Sequence, residues 1–349
     1  MEKRKSKQIT AGTLKIGGGA PISVQSMLNT SAHDFEGSIA QAKELEKAGC
    51  DIIRAAVPDM KAVKLIEKLK ENVSVPIVAD IHFDYRLALE CAEAGVDKIR
   101  INPGNIGDDE KVKKVANACL LHNIPIRVGV NSGSLEKSIL EKHGAPTAEA
   151  LFESGMYHIK LLEKFDFNNI VLSLKASDTK RMFEAYTFAA EHCDYPLHLG
   201  VTEAGAGNSA LIKSASGIGG LLLCGIGDTI RVSLTAKPLD EVKAGIELLK
   251  AVGERKGGVR LISCPTCGRT KIDLIGLANK VETALEDINK DITVAVMGCV
   301  VNGPGEAREA DIGIAGGDGC GLLFKKGEII AKLPEEKLLE ALILEINKM

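Results

Sequence analysis

The feature that most constrains the fold of this chain is a regular alternation of short β-branched segments with amphipathic segments, which runs from residue 23 to residue 235. Several of the amphipathic segments end at a glycine in the position of a helix C-cap. Eight segments have the strand pattern: SVQSM, DIIRAAV, PIVADIH, KIRINPG, PIRVGVN, NIVLSLK, LHLGVTEAG and TIRVSLT. Eight strands that alternate with helices predict an α/β fold, the (β/α)8 barrel of the TIM type.

The chain is longer than one such barrel requires. It has 349 residues, whereas a barrel of this type takes roughly 250. A helical segment and the glycine-rich GERKGGV follow the eighth strand segment, and we place the domain boundary there, with the barrel over 1–253. The remaining residues, 259–349, combine five strand segments with two helical segments and predict a small α+β domain.

The longest insertion in the predicted barrel lies between Asn131 and Asn169, after the fifth strand. It has room for a loop and one long helix, over the segment TAEALFESGMYHIKLLEKF. Loops of this length at a barrel mouth often cover a substrate, and plain decoration of the fold is the alternative.

Composition narrows the class of partner. The formal net charge is -3, so an anionic ligand would have to be held by a local group of basic side chains. Aromatic residues make up 3% of the chain and tryptophan is absent, which disfavours the stacking platforms of single-stranded nucleic acid binding. The sequence has neither a long apolar run nor an apolar segment after its basic N-terminus. We therefore expect a cytoplasmic protein that binds neither nucleic acid nor membrane.

One face of the predicted strands is unusually polar. Residues two apart on a strand face the same side, and the intervening positions are mostly isoleucine, valine and leucine, which suit packing against outer helices. The polar face is therefore expected to point into the barrel. Its members are Arg54, Asp80, His82, Arg100, Asn102, Arg127, Asn131, Ser173, Lys175, Arg231 and Ser233.

Five side chains of this face are cationic, and burying so many charges without partners is expensive. They are Arg54, Arg100, Arg127, Lys175 and Arg231. Active sites of this fold lie at the carboxyl ends of the strands, and arginine forks match phosphate oxygens, so the set predicts a phosphate-binding site. The alternative is internal ion pairing with Asp80 and Glu203, which would neutralise at most two of the five charges.

Glu203, at the end of the seventh strand, is the best candidate for an acid/base residue, with a structural salt bridge as the alternative. Two weaker signals accompany it. The glycine-rich SASGIGGLLLCGIGD precedes the eighth strand, where such barrels often bind phosphate through backbone amides. Asp80 and His82 share a strand face and would suit a divalent metal, although no second histidine pair supports that interpretation.

The nine cysteines are an odd number in an intracellular-looking sequence, which favours metal or catalytic thiols over a disulfide framework. Four lie in or at the ends of helix-like segments, where we expect small buried residues. They are Cys50, Cys91, Cys119 and Cys193.

Three other cysteines form a metal-binding pattern. Cys264 and Cys267 have C-x2-C spacing, and Cys299 follows inside GCVVNGPGE. Zinc would need a fourth thiolate, for which Cys320 is available. A 4Fe-4S cluster on three cysteines would leave one iron for an exchangeable oxygen ligand, and Glu306, across the turn-forming NGPG, is the candidate. Spacing alone leaves both metals open.

Two cysteine motifs and five barrel segments form a highly specific combination: CPTCGR, GCVVNGPGEAR, IIRAA, VADIHF, KIRINPGN, RVGVNSGSL and LGVTEAG. In these residues the sequence resembles the bacterial 4-hydroxy-3-methylbut-2-enyl diphosphate synthase family, over essentially the whole chain. The resemblance implies a 4Fe-4S oxidoreductase of isoprene biosynthesis by the non-mevalonate pathway. It would reductively open 2-C-methyl-D-erythritol 2,4-cyclodiphosphate with two electrons and loss of water.

The resemblance also implies roles for individual residues. The cluster ligands would be Cys264, Cys267, Cys299 and Glu306, and the acid/base residue would be Glu203. Substrate contacts would be Arg54, Asp80, His82, Arg100, Arg127, Asn131, Lys175, Arg231, Ser233 and, in the small domain, Asn302. The family implies a homodimer in which the barrel of one subunit closes on the cluster domain of the other, with flavodoxin or ferredoxin as electron donor.

Two other functions are compatible with the residues alone. One is a non-catalytic phosphate-binding barrel that carries a structural zinc module for protein or RNA contact. The other is a pterin- or phosphate-binding barrel transferase with an appended metal domain. Zinc thiolate sites are colourless and iron-sulfur sites are brown, and a transferase would act on the cyclodiphosphate without a reductant.

Overall fold

The computed structural model describes residues 2–285, 288, 290–299 and 307–349. The chain divides into two compact units, Met1–Arg255 and Lys256–Met349. Arg255 lies with the first unit, where its Nη1 is 3.0 Å from Asp51 Oδ2. None of the helices in the described ranges is both long enough and apolar enough to cross a membrane.

The first unit begins with a short antiparallel hairpin of β1 (Ile9–Ala11) and β2 (Leu14–Ile16). Eight parallel strands follow and form the barrel: β3 (Ser23–Met27), β4 (Ile52–Ala56), β5 (Ile77–Asp80), β6 (Lys98–Ile101), β7 (Ile126–Asn131), β8 (Ile170–Lys175), β9 (His198–Leu199) and β10 (Thr229–Ile230). Consecutive strands are neighbours and β10 pairs with β3. The pair β8 and β9 is joined by a single bridge between Leu172 and Leu197. The predicted (β/α)8 barrel is thus confirmed.

Helices surround the strands. They are α1 (Phe35–Lys47), α2 (Val63–Asn72), α3 (Tyr85–Glu93), α4 (Pro103–Ile106), α5 (Asp109–Leu121), α6 (Lys137–His143), α7 (Ala148–Glu163), α8 (Thr179–His192), α9 (Gly207–Ser214), α10 (Gly220–Leu223) and α11 (Pro238–Ala251). Several begin at a side chain that accepts a hydrogen bond from an amide of the first turn, which favours a helix start there. These N-caps include Asp34, Asp84, Asp108, Thr147 and Asp178. Apolar residues of strands and helices form one core between the two layers.

The hairpin packs on the amino-terminal end of the barrel. Ile9, Ala11 and Ile16 form a buried cluster with Ile52 and with valines near the starts of β5 and β8. Because this end is filled with apolar side chains, the carboxyl ends of the strands are the end available for a site, as is usual for this fold.

The insertion after β7 contains the expected long helix, α7, and adds a short helix where only a loop was expected. A 3-10 turn at Ser132–Ser134 and the short helix α6 come before α7. Helix α6 ends at Gly144, whose φ of 70° is in the left-handed region that favours glycine at a helix C-terminus. A helix of only seven residues gives a weak periodic signal, which is why the sequence did not reveal it.

The glycine-rich segment before β10 is helical as far as Leu223 and then forms a turn, so the amides of its helical part are not available for the phosphate binding that the sequence suggested. Helix α9 continues through a π-helical turn at Ala215–Gly219 into α10, and amides within such a run donate to helical carbonyls. The glycines serve close packing instead. A Cβ on Gly217 would lie 2.5 Å from Met182 Cε of α8.

The second unit is one sheet with helices packed on it, in agreement with the predicted α+β domain. Its elements are β11 (Val259–Ser263), α12 (Leu274–Leu285), β12 (Ile292–Met297), β13 (Ile312–Gly316), β14 (Gly321–Lys325), β15 (Glu328–Leu333) and α13 (Leu338–Lys348). Strands β11, β12 and β13 are parallel, and β14 and β15 extend the sheet antiparallel. Leu274, Val281, Leu338 and Leu342 of the helices join the sheet in a separate apolar core.

Candidate active site

The five predicted cationic side chains converge inside the barrel. Burial, and then the positive charges of four arginines, hold the pKa of Lys175 well below its ordinary value. These are Arg127, Arg231, Arg54 and Arg100, in order of decreasing effect. Lys175 lies at the end of β8, and a Cβ on Gly200 would be 2.7 Å from its Nζ, so glycine at that position leaves room for the ammonium group.

Asp80 is the carboxylate at the centre of this group. Its oxygens are 2.6 Å from Arg54 Nη2 and 3.3 Å from Arg100 Nη1. His82 Nε2 lies 3.4 Å away. Burial would raise the pKa of Asp80, but the Arg54 charge and hydrogen bonds from its neighbours outweigh burial and hold the pKa far below its ordinary value. Asp80 therefore stays ionised and orients two of the arginines.

A second carboxylate, Glu241 of α11, was missed by the sequence analysis. Its Oε2 is 3.4 Å from Arg231 Nη2, and its Oε1 accepts a hydrogen bond from the Leu234 amide at 2.9 Å. The charge on Arg231 is thus compensated by Glu241 and not by Glu203. The sequence does not predict this contact, because Glu241 lies on a helix and the alternation of side chains along a strand does not apply to it.

Glu203 lies in the loop after β9, at the carboxyl end of the barrel, and its side chain is exposed. Its φ of 52° is unusual for a residue with a side chain. Such backbone conformations concentrate at functional sites, which is consistent with a catalytic role. Of the remaining predicted contacts, His82 is exposed, whereas Asn131 and Ser233 are half-buried near the ends of β7 and β10.

A deeper polar layer lies beneath these groups, and the sequence analysis missed two of its members, Lys98 and Gln25. Lys98, Gln25 and His198 are fully or almost fully buried on β6, β3 and β9. Lys98 Nζ, both His198 ring nitrogens and both Gln25 amide atoms have no hydrogen-bond partner among the residues described. Burial, followed by the charges of Arg127 and Arg54, lowers the pKa of Lys98 to about 7. Parity would have identified Lys98, since it stands two residues before Arg100 on the same strand.

In the second unit, the cysteine motifs lie at one edge of the sheet. Cys264 directly follows β11, Cys299 follows β12, and Cys320 precedes β14 in the loop after β13. Because these three strands run parallel as far as β13, their carboxyl ends share that edge. The Gly298 amide donates a hydrogen bond to Cys264 Sγ at 3.2 Å, which links the first cysteine motif to the second.

Cys267 is exposed, and hydrogen bonds from the Arg269 backbone and side chain lower the pKa of its thiol. Within the described ranges, no three metal-ligating side chains are gathered closely enough to hold an ion. The donor set nevertheless fits a thiolate-bound metal, since soft ligands share one edge and one already accepts an amide hydrogen bond. Asn302 and Glu306 lie outside the described residues.

The cysteines expected to be packing residues are located as follows. Cys50, Cys91 and Cys119 are buried, and Cys193 is half-buried. Burial raises the pKa of each of the first three thiols to about 12. These thiols are therefore inert packing groups.

A (β/α)8 barrel with an arginine-rich interior, followed by a separate unit with cysteines on one sheet edge, defines a class of two-unit barrel protein whose barrel is suited to anionic ligands. Two family models match the chain. One is described as the GcpE TIM-barrel domain, over residues 6–246, and the other as the GcpE protein C-terminal domain, over residues 260–348.

Curated relatives agree with these family models. The chain is 59% identical to a 4-hydroxy-3-methylbut-2-en-1-yl diphosphate synthase (flavodoxin) of Caldanaerobacter subterraneus subsp. tengcongensis, over 99% of this chain and 97% of that protein. It is 57% identical to the protein of the same name from Clostridium perfringens, over 98% of each. The chain belongs to the 4-hydroxy-3-methylbut-2-en-1-yl diphosphate synthase (flavodoxin) family and is an enzyme of the oxidoreductase type. The resemblance seen in the sequence is confirmed.

Solved structures support the barrel alone. Dihydropteroate synthase from Yersinia pestis superposes with a TM-score of 0.52 at 17% identity, over 70% of this chain and 97% of that one. The dihydropteroate synthase of Coxiella burnetii gives a TM-score of 0.52 at 13% identity, with the same coverage. At such low identity the likeness shows the fold and carries no statement about substrate.

Proposed function

We propose that this enzyme converts 2-C-methyl-D-erythritol 2,4-cyclodiphosphate into 4-hydroxy-3-methylbut-2-enyl diphosphate, with electrons delivered through a 4Fe-4S cluster. The conversion consumes two electrons and two protons and releases one water. The curated relatives carry the name of this synthase and name flavodoxin, which we propose as the electron donor here.

The observation that carries the proposal is the surplus of buried positive charge in the barrel. Five cationic side chains converge there, and the carboxylates that pair with them are Asp80 and Glu241. A buried charge without a partner is costly, so this arrangement is suited to a ligand that brings its own negative charge. A cyclic diphosphate, with one charge on each phosphate, is such a ligand.

The barrel side chains would bind and orient the two phosphates. Asp80 holds Arg54 and Arg100 by one oxygen each, which leaves other donors of both guanidinium groups for phosphate oxygens. Arg127 has Nε and Nη1 without a partner among the described residues and lies behind them. His82, Asn131, Lys175, Arg231 and Ser233 would complete the contacts, together with Asn302 of the second unit.

Glu203 would handle the proton. Its exposed carboxyl group stands at the carboxyl end of the strands, where a proton must reach the oxygen that departs as water. Its positive φ indicates that the loop holds this residue in a conformation it would not adopt by preference. A carboxyl group near a cationic mouth is well placed to give up and recover a proton.

The cysteine edge of the second unit would hold the cluster, with Cys264, Cys267 and Cys299 as thiolate ligands and Glu306 as the fourth. When bound, a 4Fe-4S cluster supplies the two electrons, one at a time, that the C–O cleavage requires. As part of the same proposal, residues 1–253 bind the substrate, residues 259–349 carry the cluster, and the enzyme is a cytoplasmic homodimer whose barrel and cluster domain meet across subunits.

One experiment tests the proposal directly. The protein is purified without oxygen, its iron and acid-labile sulfide are measured, and turnover of the cyclodiphosphate is followed with and without reduced flavodoxin. We expect about four irons per chain and a brown protein. We also expect turnover that requires the reductant and falls at least about tenfold in kcat/KM in the variant Arg127→Met, which loses charge-assisted phosphate contacts.

Arg86→Met is the matched control, because Arg86 of α3 is exposed and pairs with Asp84, the N-cap of that helix, and not with a group of the barrel interior. Full activity of this control with reduced activity of Arg127→Met supports the buried cationic site. A colourless protein with one zinc per chain would overturn the proposal and favour a structural zinc module, for which Cys320 stands at the same sheet edge. Turnover without a reductant would favour the transferase alternative.

A further inference from the structure

His158 of α7 joins two loops at the carboxyl end of the barrel. Its ring is buried, with 3% of the side chain exposed. The Nδ1 atom accepts a hydrogen bond from the Gly104 amide at 3.1 Å. The Nε2 atom lies 2.8 Å from Glu136 Oε1. One side chain outside the barrel interior therefore holds the connection after β6, which includes the short helix α4, and the loop after β7 at the same time.

Both loops adjoin residues proposed to bind the substrate. The first follows β6, which carries Arg100, and its Asn102 side chain accepts a hydrogen bond from the Gly129 amide of β7 at 3.1 Å. The second begins at Asn131, the last residue of β7. The position of each loop therefore fixes the direction in which these polar side chains leave the strands.

Only one form of the His158 ring makes both contacts. Nδ1 must be unprotonated to accept from an amide, and Nε2 must carry the hydrogen to donate to a carboxylate. Burial would raise the pKa of Glu136, but the hydrogen bond from His158, together with further hydrogen bonds to the carboxyl group, outweighs burial and lowers the pKa to about 2. The carboxylate is thus ionised at neutral pH, and the bond from Nε2 is charge-assisted, which is the stronger kind.

The Gly104 side of the bridge depends on close approach of the ring to the backbone. A Cβ at Gly104 would lie 2.7 Å from His158 Cε1 and 3.1 Å from Nδ1. No side chain fits in that space, so the ring packs directly against the turn that follows Asn102.

Helix α6, which begins directly after Glu136, is also held at its other end. Glu153 of α7 accepts hydrogen bonds from Lys142 and His143, at the end of α6, at 2.7 and 2.8 Å. Helix α6 is therefore attached to α7 near both ends, by His158 at its start and by Glu153 at its finish. Helix α7 has a buried face that packs in the core of the barrel, and it supports the insertion at both of these points.

We propose that His158 is a positioning residue of the active site, which fixes the loops of residues 102–106 and 131–136 relative to each other and thereby sets the spacing of the polar groups that bind the diphosphate. The role in substrate binding rests on the proposed function. The coupling of the two loops rests on the contacts of His158 alone.

The test compares His158→Phe with His143→Phe in the holoenzyme. Both variants remove an imidazole that contacts a glutamate at 2.8 Å, but only His158 reaches the two loops that follow β6 and β7. Amide hydrogen exchange is measured on peptides that cover 102–106 and 131–136, and KM and kcat are measured with the cyclodiphosphate.

We expect His158→Phe to speed exchange in both loops at least about tenfold and to raise KM at least about tenfold, with kcat within about threefold of wild type. His143→Phe should leave exchange in loop 102–106 and KM unchanged. A smaller pair of variants avoids changing the buried ring. Glu136→Gln keeps an acceptor and should behave as wild type, whereas Glu136→Ala should release loop 131–136 and raise KM.

Wild-type exchange in both loops, or a KM that rises equally in the two histidine variants, would overturn the positioning role. Absence of turnover by the wild-type enzyme would overturn the proposed function alone, because exchange is read without substrate. In that case the exchange data still support or overturn the coupling of the two loops.

Discussion

At the scale of single residues, the barrel interior combines paired and unpaired charge. Asp80 pairs with Arg54 and Arg100, whereas the Nζ of Lys98 has no hydrogen-bond partner in the described part of the chain. An unpaired ammonium group that is fully buried favours its neutral form. Lys98 should therefore make the stability of the fold depend on pH in a way that a paired lysine would not.

Lys98→Met tests this dependence. The pKa of Lys98 is about 7 in the folded protein, whereas an unfolded lysine has a pKa of about 10.4. Between these values the unfolded chain binds more protons, so burial of Lys98 lowers the free energy of unfolding, and this penalty grows as pH falls toward 7. We expect the free energy of unfolding of the wild type, relative to that of Lys98→Met, to rise by up to about 1.4 kcal/mol per pH unit between about pH 7 and pH 9.

Urea unfolding of both proteins at several pH values measures this difference, and titration of all other groups cancels in it. Curves for the two proteins that run parallel across the range would show that Lys98 keeps its proton in the fold. Lys70→Met is a suitable control, because Lys70 is partly exposed and paired with Asp97 at 2.6 Å.

The alternation of side chains along the strands predicted much of this site, and the residues that it could not predict are those placed by tertiary packing. It identified Arg54, Arg100 and Arg127 because alternation on a strand depends only on local geometry. It did not identify Glu241, which pairs with Arg231 from a helix and reaches the barrel through tertiary packing. The same limit applies to His158, because both residues that its ring nitrogens contact lie more than twenty positions away in the sequence.

At the scale of elements, the seam between β8 and β9 differs from the other described barrel junctions because it has no regular ladder. A single bridge, Leu172 to Leu197, joins the two strands. The Tyr186 hydroxyl of α8 fills the place of ladder hydrogen bonds, since it donates to the His198 carbonyl and accepts from the Leu174 amide at 3.0 Å. A helix side chain thus completes the hydrogen bonding of two barrel strands.

Tyr186→Phe should therefore weaken the barrel. Removing the hydroxyl leaves a buried amide and a buried carbonyl without this partner, which costs about 1–3 kcal/mol. The free energy of unfolding of the barrel, obtained from urea unfolding, measures the loss of stability. Tyr85→Phe is the control, because Tyr85 is half-buried and its ring lies beneath the Lys114 ammonium group. An equal urea midpoint for Tyr186→Phe and wild type would show that contacts other than the hydroxyl hold β8 and β9 together.

The sequence predicted these elements unevenly. All eight barrel strands were located because β-branched segments between helices give a strong signal. The glycine-rich segment before β10 was misread, because the sequence signal of glycine is the same for a tight turn and for close helix packing. Gly217 stands against Met182 and Thr179 of α8, a fact that depends on which helices become neighbours.

At the scale of the whole molecule, the two units have separate hydrophobic cores. The core of the first unit runs from Ile22 to Leu249, and that of the second from Leu274 to Ile346. Between them, Gly253, Gly257 and Gly258 have φ values of 78°, 101° and 76°. Three glycines in the left-handed region are typical of a linker and not of a continuous element.

Separate cores predict that the barrel folds without the second unit and keeps its own part of the chemistry. A chain of residues 1–255 includes Arg255 and its ion pair with Asp51, so the barrel ends at a natural anchor. We expect it to unfold in one cooperative transition and to bind the cyclodiphosphate, since the cationic side chains all lie within it. Arg127→Met in the same fragment should weaken binding at least about tenfold, because charge-assisted contacts to phosphate are lost.

Calorimetric titration of the fragment with the cyclodiphosphate measures this affinity, and no electron donor or metal is needed. A folded fragment without affinity would show that the barrel alone does not form the substrate site, and that residues beyond Arg255, Asn302 among them, supply the decisive contacts. Binding by the fragment that is lost in Arg127→Met and kept in Arg86→Met would locate the anion site in the barrel, because only the first of these arginines lies in its interior.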